Sequence, residues 1–162
     1  MTQKGMSGRW AAVALVLALV TAGCFTPRPE TLARQWRPLG AGGPTLEYAL
    51  LTSPHRANIV WETYAGQGDG SVVRVSVEYD MDGASRECPP VAAGLARPAR
   101  AFLLVELAVS PAGVVTFSSA WAQVYSAKGY FEEYPLDAAV MADLMTRTFP
   151  LSCSDLVLPS YL

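Results

Sequence analysis

The side chains of this 162-residue chain that could do chemistry are few: three cysteines (Cys24, Cys88, Cys153), one histidine (His55) and several carboxylates at close spacing. Cysteines can accept an acyl group, pair as disulfides or bind metal. His55 follows Pro54 in a stretch of turn residues, and no serine sits in a G-x-S-x-G frame, so a Ser-His-Asp triad has no local signature. Glu132 and Glu133 are adjacent. Neighbours on a strand point to opposite faces, so they read as two solvated edge charges rather than an acid/base pair. Asp80-Met81-Asp82-Gly83 opens like a calcium loop, but an EF-hand closes with a glutamate at its twelfth position, and Cys88-Pro89 occupies that region instead. Gly66-x-Gly68-x-Gly70 precedes a strand, whereas a phosphate-binding glycine loop follows one and opens a helix. Both motifs read as turns.

The N-terminal segment positions Cys24. Lys4 and Arg9 precede ten apolar residues, Ala11 to Val20, and the run ends in Leu19-Val20-Thr21-Ala22-Gly23-Cys24. A transmembrane helix needs about 20 such residues, so this is the h-region of a signal peptide. The small-small-Cys ending resembles the lipobox of bacterial lipoproteins, with Thr21 where that family usually has Leu. The resemblance implies acylation of the Cys24 thiol, with Cys24 as the first mature residue, and an anchor in a bacterial membrane. Phe25 is not the Asp that retains some lipoproteins in the inner membrane, so the expectation is the outer membrane, facing the periplasm.

Lipidation of Cys24 also resolves the odd cysteine count. Cys88 and Cys153 remain, and in an oxidising periplasm they are expected to form a disulfide. Such a bond would close a loop of more than 60 residues and stabilise by about 4 kcal/mol in the chain-entropy model. With one histidine and no third free thiol left, no metal site is expected, nor any cofactor.

Removing residues 1–23 leaves 139 residues, enough for one domain with a real core. Those residues hold ten basic and 14 acidic side chains. A net charge near −4 argues against nucleic-acid binding, which needs a basic surface. The sign is uneven. Residues 25–45 carry Arg28, Arg34 and Arg37 against Glu30, while 46–162 carry seven basic and 13 acidic groups. Residues 24–45, with Pro27, Pro29, Pro38 and Gly40-Ala41-Gly42-Gly43-Pro44, read as a Pro/Gly-rich tether with a helical turn or two between Thr31 and Trp36.

The expected globular domain is 46–162. Leu46–Leu51 and Asn58–Ala65 read as an antiparallel hairpin. Ser71–Asp80 alternates Val73, Val75, Val77 and Tyr79 with Arg74, Ser76 and Glu78, a half-buried strand. A short helix over Val91–Ala96 is compatible with the irregular connection that follows. Phe102–Val109 is a second strong strand, and Ser110-Pro111-Ala112-Gly113 a type I turn. Val114–Tyr125 places Val115, Phe117, Trp121 and Tyr125 on one side and Thr116, Ser118, Ala120 and Ala122 on the other; its length suggests a bulge near Ser118-Ser119. Tyr130–Tyr134 reads as an edge strand. Asp137 caps a helix with the stripe Val140, Met141, Leu144, Met145, ended by Phe149-Pro150. The expected fold is α+β: a small antiparallel sheet or β-sandwich of about six strands with one C-terminal helix.

These features lead to a non-enzymatic, lipid-anchored envelope protein, an accessory or assembly factor binding a protein partner. Trp61, Trp121 and Tyr125 are the candidate binding aromatics, since interfaces favour Trp and Tyr. One alternative is a carrier of a small apolar ligand between the sheet and the Val140–Met145 stripe. The other is a hydrolase using His55.

Overall fold

The computed structural model describes residues 27–161; Cys24 and the segment read from the sequence as a signal peptide lie outside them. The centre is a five-stranded antiparallel sheet in the order β1-β2-β4-β5-β6, made of β1 (Arg56–Ala65), β2 (Ser71–Tyr79), β4 (Arg100–Val109), β5 (Val115–Tyr125) and β6 (Phe131–Leu136). A second ladder pairs β3 (Leu95–Ala96) with β7 (Leu158–Pro159). Four helices complete the body: α1 (Pro29–Gln35), α2 (Leu46–Leu51), α3 (Met81–Arg86) and α4 (Ala139–Thr146). The fold is α+β with mostly β content.

The two strongest alternations in the sequence became the two strands next to each other at the heart of the sheet. Val73, Val75 and Val77 of β2 and Leu103, Val105 and Leu107 of β4 are wholly buried. Their pairing register, Val75 opposite Val105, stacks these apolar faces into one layer. Helices α1, α2 and α4 cover it: Ala33, Leu46, Leu50, Leu144 and the strand residues form one continuous buried cluster.

The segment 46–51 is a helix, not the first strand of a hairpin. Thr45 Oγ1 accepts the Tyr48 N–H at 3.2 Å and caps it. Leu46, Ala49 and Leu50 fall three and four apart and all are buried, which is a helical stripe. Strand β1 therefore pairs only with β2. The 91–96 segment is extended, with Leu95 and Ala96 in the small ladder, rather than helical. Asp80–Gly83, read as a turn, begins α3, with Asp80 Oδ1 accepting the Asp82 N–H.

Part of the expected tether belongs to the packed body. Pro29 sits in the first turn of α1, where its missing N–H costs nothing. Ala33 is fully buried and Leu32 packs against the core. Arg34 bonds to Glu30 at 2.8 Å and Glu47 at 2.5 Å, fastening α1 to α2. Burial pulls the Arg34 pKa down, but the two carboxylates outweigh it and the net direction is up.

At the C-terminal end, α4 buries Val140, Met141, Leu144 and Met145, the stripe read from the sequence. Asp137 Oδ1 accepts the Ala139 N–H at 2.7 Å. The Cys88–Cys153 disulfide is formed, with Cα atoms 5.5 Å apart. Arg97 braces the same junction: its guanidinium donates to the carbonyls of Cys153, Leu156 and Pro89. The tail after the disulfide packs, with Leu156 and Leu158 buried.

Candidate functional site

The helices cover one face of the sheet. The opposite face is built from half-buried and exposed side chains, and the pairing registers show how they line up. Val60, Ser76, Leu104, Trp121 and Pro135 form one row across all five strands. The next row runs Asn58, Glu78, Phe102, Gln123 and Glu133. Arg100, Tyr125 and Phe131 follow.

A bulge in β5 decides which aromatics reach this face. Glu106 pairs with Ser119 but Leu107 pairs with Phe117, so Ser118 is the extra residue. One inserted residue reverses the in/out parity of everything beyond it. Val115 and Phe117 pack on the core. Past the bulge, Ala120, Ala122 and Val124 point inward and are buried, which sends Trp121, Gln123 and Tyr125 to the helix-free face. The bulge lies where the sequence placed it. Its consequence for parity was missed there, and Phe117 does not share a face with Trp121 and Tyr125.

The result is a patch with an apolar centre and a charged rim. Phe102 and Tyr125 meet edge-to-face at 5.6 Å, and Tyr125 stacks on Phe131 at 5.3 Å. Between them Ser76, Phe102, Leu104, Gln123 and Tyr125 line a shallow depression of about 200 Å³. The Arg100 guanidinium sits 4.8 Å over the Phe102 ring and bonds to Glu78 at 2.8 Å. Arg74 bonds to Glu106 at 2.7 Å; that carboxylate raises the Arg74 pKa despite the opposing effect of burial. Gln123 donates to Glu133 at 2.7 Å and accepts from the Tyr125 hydroxyl at 3.2 Å. The Arg100–Glu78, Arg74–Glu106 and Gln123–Glu133 groups are already paired, so the rim is held in place before anything binds.

Trp61 is not part of this patch. It points to the helix side, packs partly against the core and carries the Arg34 guanidinium 4.6 Å from its ring. Of the three aromatics singled out from the sequence, the fold brings Trp121 and Tyr125 together and separates Trp61. Phe102, Leu104 and Phe131 complete the patch. The signal for Phe102 and Leu104 was their alternation with Leu103 and Val105.

His55 lies elsewhere, at the edge of the core. Its backbone is left-handed, with φ 57°, and its ring meets Phe149 edge-on at 5.5 Å. Nε2 is 3.0 Å from Glu87 Oε1 but out of line for a hydrogen bond, and has no other partner. Ser53, the buried serine two residues before it, contacts the Tyr79 hydroxyl at 3.4 Å. Burial pushes the Tyr79 pKa up, partly opposed by that contact. Among the described residues no three His, Cys, Asp or Glu side chains converge to hold a metal ion. No described helix is long and apolar enough to cross a membrane. Glu132 and Glu133 point to opposite faces of β6, with Glu133 on the patch rim and Glu132 accepting from the Tyr134 hydroxyl.

Comparison with protein-family models, curated proteins and solved structures gives no significant match to this chain.

Proposed function

We propose that the chain is a non-enzymatic, lipid-anchored protein of the bacterial envelope that binds a protein partner through the helix-free face of its sheet. The observation that carries the reading is the patch itself. Interfaces enrich Trp, Tyr, Phe and Arg at their centre and keep charge at the rim, and this face has Trp121, Tyr125, Phe102 and Phe131 inside a frame of Arg100–Glu78, Arg74–Glu106 and Gln123–Glu133 pairs. The depression is shallow and open, suited to a protein surface rather than an enclosed small molecule. The volume between the sheet and α4 is taken up by the chain's own core, with Leu144 and Val105 wholly buried.

The lipid anchor rests on the Leu19–Cys24 run. Helix α1, whose Ala33 is in the core, begins at Pro29, five residues after Cys24, so a lipid on Cys24 would hold the body close to the bilayer, in our reading the periplasmic side of the outer membrane. Two experiments test the proposal separately. Cys24→Ala should release the chain from membranes and abolish incorporation of labelled fatty acid; a variant that still fractionates with membranes refutes the anchor. A photo-crosslinking residue at Trp121 should capture a discrete envelope protein, while the same residue at Leu39, an exposed position outside the patch, should not. Equal capture at both sites refutes the patch.

A further inference from the structure

The two edges of the sheet are built differently. Strand β6 has six residues, Phe131–Leu136, and carries Glu132, Glu133 and Pro135. Short length, charge and a proline without an N–H are the devices by which sheets block further pairing. Strand β1 has ten residues, RANIVWETYA, without proline or lysine. After a bulge at Ala57, all eight residues from Asn58 to Ala65 pair with β2 in unbroken register, from Asn58↔Glu78 to Ala65↔Ser71, so the outer edge is straight over that length. Val60 and Tyr64 stand on it exposed.

Its free backbone groups can be assigned. Gly66 N–H donates to Gly70 O at 2.9 Å at the hairpin end. In an antiparallel pair, hydrogen-bonded and non-bonded positions alternate, so Tyr64, Glu62 and Val60 bond to β2, while Thr63, Trp61 and Ile59 direct their N–H and C=O outward. One of these is already occupied: the Ile59 N–H donates to the Asn58 side chain at 2.9 Å, a stand-in for a neighbouring carbonyl.

We propose that β1 is a self-association edge, pairing antiparallel with β1 of a second copy about a twofold axis at Val60, so that two five-stranded sheets run on as one. This register is self-complementary. Val60 meets Val60, Ile59 meets Trp61 and Glu62 meets Asn58. It sets apolar groups against apolar groups and a carboxylate against an amide, and avoids the Glu62–Glu62 contact that an axis at Glu62 would create. Ile59 and Trp61 fall at the hydrogen-bonding positions, as their outward backbone requires. On the helix side a groove of about 220 Å³ between Arg34, Glu47, Leu51 and the Ile59–Trp61 row leaves room for the second copy's side chains. A foreign strand could satisfy the backbone, but nothing about the edge matches one as it matches itself. The inference is independent of partner binding at Trp121.

The test is cross-linking of the full chain with Val60→Cys. Opposed residues at a non-hydrogen-bonded antiparallel position have Cα atoms about 4.5 Å apart, within disulfide range. Mild oxidation should give a band of twice the monomer mass that the parent chain lacks, and Tyr64→Cys should give little of it. In sedimentation the parent should run as a dimer and Val60→Lys as a monomer with unchanged circular dichroism. No added dimer band from folded Val60→Cys, equal cross-linking at Tyr64→Cys, cross-linking to a protein of another mass, or a monomeric parent would each overturn the proposal. Trp121→Asp should leave the dimer intact, so failure of the patch and failure of the edge are read separately.

Discussion

Removing the disulfide gives the most quantitative check on how this body holds together. Cys88 and Cys153 are 65 residues apart in sequence. In the chain-entropy model a loop of that size lowers the entropy of the unfolded ensemble by about 14 cal/mol/K, or about 4.3 kcal/mol at 25 °C. For a body of about 135 residues, an unfolding entropy near 2.1 cal/mol/K per residue converts each kcal/mol to about 3.5 °C. Cys88→Ala with Cys153→Ala should therefore lower Tm by about 15 °C on these scales. Both thiols must go together, because a single survivor could form new pairs. Cys24→Ala in both arms keeps the lipid and the third thiol out of the comparison. Differential scanning calorimetry reads the shift, and urea unfolding should show a lower midpoint. The Arg97 clamp on Cys153, Leu156 and Pro89 stays in the variant, so the chain should still fold. A fall in Tm of under about 4 °C, roughly 1 kcal/mol on the same scale, would refute the idea that loop closure is the main contribution of this bond.

Other expected outcomes follow from individual sites. Leu144→Ala opens a cavity under α4 at a wholly buried position and should cost about 2–5 kcal/mol in chemical denaturation. Gly83→Ala would put a Cβ 2.8 Å from His55 Nδ1 and 3.1 Å from Asp80 Oδ2; a loss of about 1–3 kcal/mol is expected from the overpacking, relieved in part by adding His55→Ala. Burial, reinforced by the hydrogen bond to Glu132, pushes the Tyr134 phenol up to about 12. A phenol that holds its proton more tightly folded than unfolded stabilises fully below its unfolded pKa, so stability should fall as pH rises from about 10 toward 12, and Tyr134→Phe should flatten that fall in alkaline unfolding curves. Trp121→Asp should abolish partner capture while leaving the circular dichroism of the folded body unchanged.

The sequence was most legible where one local period had no competitor. Strands β2 and β4 alternate cleanly, and their faces came out as read. The α4 stripe likewise repeats at three and four. It was least legible at 46–51, where Leu46, Ala49 and Leu50 fit a helix, yet six mostly apolar residues also fit a strand. Thr45 as a cap was the signal that could have separated the two. The candidate site was half visible: the surplus of aromatics could be seen, but the face each one takes could not.

Composition and local pattern determined that this chain is an α+β body, which of its strands are amphipathic and which helix stripe is buried. Those properties depend on side-chain period, which is local. The tertiary structure alone decided that α1 packs on the body, because the docking of Ala33 and the Arg34–Glu47 bond link segments that carry no joint pattern. It alone decided that Trp121 and Tyr125 gather on one face while Trp61 turns to the other. A single extra residue at Ser118 reverses parity only once β5 is set in register against β4, and register belongs to the pair of strands rather than to either one.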